Sequence, residues 1–493
     1  MNSNPSATAS ALSVLGRYWG WLVLAAWGGA LLGLGLVRTA PLGLDEGAAR
    51  GLLLIWSVFD RIINPIVTMG VPDFRALLFA PLGAYWTGSV FAAKVYTILL
   101  TFGGVALLHA WARRTGNTEA ALLASALLLV SPPLIGQVDA MGSGVFLLLA
   151  FGLGAWLDQA YRRAKRPFGG WFFVQILCAG FAVTLHPAGL AYPLVLAWSW
   201  YSNPLDARLR RHVLIGLGVI TLLILAVRQG WRAIDWFTSP VLALAQSLQP
   251  IAGGGEASLL LGWLLLTVAV VVVVADRRFL SADLLGRILL FSVLLGAVAA
   301  DGAWALLLFI LVMYRGVVLL IALNQAFGGH GLARQRGLVL GLLFVLATVF
   351  MVTDKSRIQG LREGVLNKQD VLIKLLADDV ADLPEDAPFQ AASQWPGRTM
   401  IAVKRTVFPL PRGAENGEAL LRSISGITHL IFDHQNPANR DLARNIAELS
   451  GVAETTVLEE GGVIIHIRPV TGGRGPVHEP ERSSRPRDDV PKL

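Results

Sequence analysis

Apolar residues occur along this chain in long uninterrupted blocks, not in the alternating or one-in-three pattern of a water-soluble protein. The blocks lie near 18–37, 92–112, 118–137, 141–160, 170–186, 188–203, 212–228, 257–275, 284–300, 302–326 and 335–353. Each is long enough, at roughly 20 residues, to cross a ~30 Å hydrocarbon core as a helix, which predicts about eleven spans. The fifth and sixth meet at His186-Pro187, where a proline either ends one helix or kinks it.

Polar stretches divide the remainder. Residues 1–17 form a short polar lead, and 18–353 form a membrane domain whose first loop, 39–93, is semi-apolar throughout. Within it Gly47–Phe59 and Phe74–Phe91 read as amphipathic helices lying in the interface, bounded by Asn64-Pro65 and Gly70-Val71-Pro72. A second loop, Gln229–Glu256, carries Trp231, Arg232, Asp235 and Trp236 ahead of Gly253-Gly254-Gly255.

From Asp354 the pattern turns soluble. Leu361–Ala381, Ala419–Ser425 and Asn439–Ser450 have helical spacing, Thr399–Val403 and Ile427–Phe432 read as strands, and Thr455–Leu458 with Val463–Ile467 reads as a hairpin. Residues 354–470 are therefore predicted to form a small α/β domain. The tail, 471–493, is rich in Pro, Arg, Asp and Gly, a disordered composition.

Composition agrees with the pattern: 54% of residues are apolar and 15% charged, where ordinary soluble chains carry about 25% charged residues. The fold class is a polytopic α-helical membrane protein with two interfacial helices and a C-terminal α/β domain. Alternate loops carry Arg113-Arg114, Arg162-Arg163 with Lys165-Arg166, Arg208 with Arg210-Arg211, Arg277-Arg278 with Arg287, and Arg334 with Arg336. The opposite loops, Ser131–Gly144, His186–Gly189 and Ala299–Gly302, hold no Lys or Arg. This positive-inside asymmetry puts the N-terminus in the cytoplasm and everything after Val352 outside it. The net charge of +8 is thus largely topological signal and does not imply nucleic-acid binding. Cys178, the single cysteine, excludes a disulfide framework.

Candidate chemistry begins at Asp45-Glu46, just outside the first span. A carboxylate there accepts the proton of an attacking hydroxyl or amine, or else Asp45 caps a helix whose first turn holds Glu46. Asp139, between the third and fourth spans, reads from its residue type as an N-cap for the fourth helix. Arg315 lies about thirteen residues into the tenth span, ~20 Å from its outer end. An ionisable group so deep faces a cavity or a partner such as Asp301. His186 at the outer surface either donates to a phosphate or sugar, or caps a helix or is merely packed. Arg50, Arg61 and Arg75 either grip a lipid phosphate or anchor the loop helices to head groups. No metal-binding constellation stands out, leaving a divalent cation shared by Asp45, Asp139 and a substrate phosphate as the one open cofactor reading.

The Asp45-Glu46 pair after the first span, the two loop helices, the span count and the outer α/β domain together resemble the GT-C glycosyltransferases, with protein O-mannosyltransferases and the lipid A aminoarabinose transferases nearest in pattern. The C-terminal stretches Ala387–Ser393, Lys404–Pro409 and Ile427–Asp433 add to the likeness. The resemblance implies transfer of a sugar, with inversion, from a polyprenyl-phosphate carrier in the bilayer to an extracytoplasmic protein, lipid or polysaccharide. It implies a bacterial inner membrane with the C-terminal domain in the periplasm. It makes Asp45, Glu46 and Asp139 the catalytic residues and assigns Arg50, Arg61, Arg75, His186 and Arg315 to the donor phosphate. Leu185-His186-Pro187-Ala188-Gly189 and Asp73-Phe74-Arg75-Ala76-Leu77 depart from the lysine-containing elements of that family. The rival reading is a transporter or flippase for a lipid-linked or anionic substrate, in which Arg315 binds and Asp45 only caps.

Overall fold

The structure, a computed structural model, describes residues 43–60, 75–115, 118–164, 170–202, 214–218, 239–252, 255–275, 284–327, 344–353, 368–384, 389–411, 417–424, 426–436, 439–447, 453–457 and 462–467, with a few isolated positions besides. The expected first span, Arg61, most of 203–238 and the tail lie outside them. The described residues fall into two compact units, one within 43–355 and one within 368–467.

In the first unit the loop helices come first. α1 (Glu46–Asp60) buries Ala48, Ala49, Leu52 and Leu53 along one face and leaves Val58 and Phe59 exposed, which is the amphipathic stripe expected of it. α2 (Ala76–Tyr85) buries Ala76, Phe79, Leu82 and Gly83. The two helices touch closely enough that a Cβ at Gly83 would stand 2.5 Å from the Phe59 ring, so only glycine fits.

The apolar blocks then appear as helices. α3 (Val90–Thr115) is followed by α4 (Thr118–Leu129) and α5 (Pro132–Ala140), which together fill the third window but are bent by 50° at the break between them. Pro132 and Pro133 begin α5, and the Ser131 hydroxyl donates to the Leu128 carbonyl at 2.7 Å, closing the preceding turn rather than capping the next. α6 (Ser143–Ala164) and α7 (Gly170–Leu185) lead to a 3-10 turn at Pro187–Leu190 and to α8 (Ala191–Tyr201), so His186-Pro187 ends a helix. After α9 (Pro240–Ala252) come α10 (Glu256–Ala275), α11 (Leu284–Gly296) and α12 (Gly302–Phe327).

α9 occupies a stretch expected to be loop. It forms because Val241, Leu244, Ala245 and Leu248 recur at helical spacing and are buried, a pattern the flanking tryptophans and glycines obscured. Among the described residues, helices at Val90–Arg113, Glu256–Ala275 and Gly302–Leu320 are individually long and apolar enough to cross a bilayer, and the bent α4–α5 pair makes a fourth. α10 exposes Leu260, Trp263, Leu264, Val270, Val271 and Val274, a continuous apolar surface suited to lipid and costly in water.

The second unit is an α/β domain: α13 (Lys368–Ala381), β1 (Ala391–Ser393), α14 (Pro396–Val403), β2 (Val407–Pro409), α15 (Gly417–Ser423), β3 (His429–Asp433), α16 (Arg440–Ala447), β4 (Ala453–Val457) and β5 (Gly462–Ile467). The sheet order is β2-β1-β3-β5-β4. β1 runs parallel to both neighbours, with Ala391 opposite Val407 and His429, and β5 runs antiparallel to β3 and β4. Ala392, Leu430, Phe432, Leu420, Leu442 and Ile465 share its core. Thr399–Val403, expected as a strand, is the end of α14: Pro396 starts a helix that buries Thr399, Met400 and Val403 at helical intervals. A short apolar run reads equally as either element.

Candidate active site

The C-terminal end of α5 is the floor of the site. A helix end leaves carbonyls without partners inside the helix, and here two of them turn outward to the first loop. Met141 adopts the left-handed conformation usually reserved for glycine, φ 52° and ψ 40°, and is fully buried. Such a backbone costs ~1 kcal/mol or more in a non-glycine residue and persists only where its surroundings over-determine it. Its consequence is the direction of the Ala140 and Met141 carbonyls.

The Ala140 carbonyl accepts the backbone N–H of Asp45 at 2.7 Å. The Met141 carbonyl accepts from Arg75 Nη1 at 3.2 Å, and the same Nη1 lies 2.6 Å from Asp45 Oδ2. Oδ2 also receives the Ala48 N–H at 3.4 Å, a long cap bond, so Asp45 does cap α1 while pairing with Arg75. Its Oδ1 has no partner among the described residues, and its side chain is 42% exposed against 6% for Arg75. One carboxylate oxygen is thus held by Arg75 and the α1 cap, and the other by no described residue.

Asp139 lies in the last turn of α5 and is not the N-cap of the helix that follows. Its Oδ1 is 3.3 Å from Lys94 Nζ near the N-terminal end of α3, both side chains being at most 10% exposed. The structure thus brings Asp45, Arg75, Asp139 and Lys94 to one helix end. Lys94 was missed in the sequence, although a lysine in the first turns of an apolar window was a signal in plain sight.

The other candidates stand elsewhere or are otherwise engaged. Glu46 pairs with Arg50 one turn along α1 at 2.9 Å. His186 Nδ1 accepts the Ala188 N–H at 3.1 Å, so the proton sits on Nε2, which faces Asp301 Oδ1 at 3.2 Å. Asp301 Oδ1 also accepts from the Trp304 amide at 2.9 Å, capping α12. Asp301 is therefore the partner of His186, not of Arg315. Arg315 places its guanidinium over the Trp111 ring, 5.6 Å from the centroid. Beside it the Tyr314 and Ser125 hydroxyls are 2.7 Å apart, and Ser125 Oγ is 3.3 Å from His109 Nδ1. Trp111 follows Lys94 by seventeen residues on α3, ~25 Å of helix, which separates Arg315 from the Asp45 cluster. Among the described residues no group of three or more His, Cys, Asp or Glu is placed to hold a metal.

No family model matches the chain, and no curated protein matches it by sequence. Solved structures do. ArnT from Cupriavidus metallidurans in the apo state superposes with a TM-score of 0.55 at 13% identity, over 93% of this chain and 100% of that one. The apo oligosaccharyltransferase of Archaeoglobus fulgidus gives 0.52 at 13% identity over 85% and 70%. The Archaeoglobus fulgidus enzyme AglB, in complex with an inhibitory peptide and a dolichol-phosphate, gives 0.51 at 11% identity over 91% and 74%. At these identities the likeness speaks for the fold alone: this chain shares the fold of ArnT and of the archaeal oligosaccharyltransferase.

Proposed function

We propose that the protein is an integral membrane glycosyltransferase that takes a sugar from a polyprenyl-phosphate carrier and passes it to an acceptor outside the cytoplasm. The observation that carries this reading is the half-exposed Asp45 carboxylate, whose Oδ1 has no partner among the described residues, set beside the buried Lys94–Asp139 pair. The dolichol-phosphate bound by one structural neighbour supports the class of donor. Orientation follows the charge asymmetry of the loops: a cytoplasmic N-terminus, with Asp45, Asp139, His186 and the C-terminal domain on the far side of a bacterial inner membrane.

In the proposed reaction an acceptor O–H or N–H donates its proton to Asp45 Oδ1 as its lone pair attacks the anomeric carbon. The bond from that carbon to the phosphate oxygen breaks, its electron pair leaves with the polyprenyl phosphate, and the configuration inverts. Asp139 orients the acceptor; were a divalent cation bound, Asp45 and Asp139 would be the residues to hold it, and it would supply positive charge against the donor phosphate. Arg61 of the first loop and Arg50, whose pair with Glu46 is partly exposed, offset charge on the leaving phosphate, while Lys94 stays with Asp139. His186 and Arg315, both engaged by neighbours, are assigned no contact with the donor.

The test is Asp45→Asn. Asparagine caps a helix about as well as aspartate but does not take the proton, so sugar release from a panel of undecaprenyl-phosphate-linked hexoses should fall ~10²–10⁴-fold in membranes containing the variant. Turnover near the wild-type rate would remove Asp45 from the chemistry. Movement of the lipid-linked sugar across vesicles without transfer would favour a transporter.

A further inference from the structure

The sequence offers Arg75 as a cation for the donor phosphate, yet its surroundings suit another task. Its guanidinium is almost wholly buried, and Nη1 is already shared between Asp45 Oδ2 and the Met141 carbonyl. The carbonyl it leans on is aimed by a left-handed, fully buried Met141, and the helix end carrying that carbonyl also binds the Asp45 main chain through Ala140. Asp45 is therefore fixed twice, by its N–H and by Oδ2. What remains free is rotation about the side chain, and Arg75 removes it.

We propose that Arg75 is a positioning residue for the Asp45 carboxylate: it clamps Oδ2 against the end of α5 so that Oδ1 is the oxygen presented to the acceptor. The inference rests on Asp45 acting as the base. A planar guanidinium suits this role because its N–H groups are held in a fixed fork, whereas an ammonium is a point charge with no preferred plane. A base swung by about an ångström loses on the order of a hundredfold in rate without any loss of substrate affinity. That separates a clamp on the base from a grip on the donor.

The experiment compares wild type, Arg75→Gln, Arg75→Lys and Asp45→Asn in lipid nanodiscs. It measures kcat and KM for undecaprenyl-phosphate-linked hexose, direct binding of undecaprenyl phosphate, and the cryo-EM structure of Arg75→Gln. Expected for Arg75→Gln are a kcat lower by about hundredfold, unchanged KM and undecaprenyl phosphate affinity, and an Asp45 side chain turned from its wild-type orientation. Arg75→Lys, which keeps the charge and so guards against loss of folding, should be intermediate. Weakened undecaprenyl phosphate binding with kcat retained would overturn the proposal and make Arg75 a donor ligand, and an unmoved Asp45 with normal kcat would overturn it outright. If the wild type turns over no lipid-linked hexose while Asp45 still swings in Arg75→Gln, the glycosyltransferase reading falls and the clamp stands. With turnover absent and Asp45 unmoved, both fall.

Discussion

Removing Asp139 should strand a buried charge. Lys94 Nζ lies 3.3 Å from Asp139 Oδ1, and the lysine side chain is 5% exposed. At an effective dielectric of ~20, that separation gives a gross attraction of about 5 kcal/mol, most of it offset by the cost of taking both ions out of water. Asp139→Leu removes the attraction and leaves the desolvation, so the expected loss is ~3–5 kcal/mol, as for other broken buried pairs. About 3 kcal/mol corresponds to more than a hundredfold drop in the folded-to-unfolded ratio. The double change Lys94→Met/Asp139→Leu replaces both ions by apolar side chains of similar size and should recover most of that loss while transfer stays abolished. Reversible SDS unfolding followed by tryptophan fluorescence is a suitable assay, since the chain has 15 tryptophans. If Asp139→Leu unfolds at the wild-type SDS fraction, or if the double variant is less stable than the single one, Lys94 is not held by Asp139 in the way described.

Three further outcomes are expected. Gly154→Val should destabilise the first unit by ~1–3 kcal/mol or more, because a Cβ there would stand 1.9 Å from the Tyr192 hydroxyl, while Gly103→Ala, with nothing nearer than 4.0 Å, should leave the thermal transition unchanged. Arg398→Met should loosen the α/β domain by ~3 kcal/mol, since Arg398 pairs with the buried Asp370, and faster amide exchange across Lys368–Ala381 would report it. In a Cys178-free background, cysteines at the exposed positions 85 and 418 should react with a reagent confined to the outside and one at 163 should not; the reverse pattern would invert the topology.

The membrane helices were legible because burial in lipid demands composition alone: α3, α6, α7, α10 and α12 begin within a few residues of the apolar windows. Elements that depend on protein contacts were not. α9 hid among tryptophans and glycines. α14 was mistaken for a strand because Thr-Met-Ile-Ala-Val has no distinguishing period. In the site, Asp45 and Asp139 were visible as carboxylates outside spans. Their partners were not, because the pairing of Asp139 with Lys94 requires α3 to lie beside α5, and a basic residue in an interfacial loop reads first as a head-group anchor. The bend at Ser131 was half-legible: Pro132-Pro133 announces a break, but no sequence rule aims the carbonyls that follow it.

The hydrogen bond from the Asp45 N–H to the Ala140 carbonyl separates two duties at one position. This mooring of the loop belongs to the main chain and does not depend on which side chain stands at 45, proline excepted. The carboxylate, by contrast, answers to the buried Arg75, so a neutral substitute there keeps the tether but leaves a guanidinium without its counter-charge.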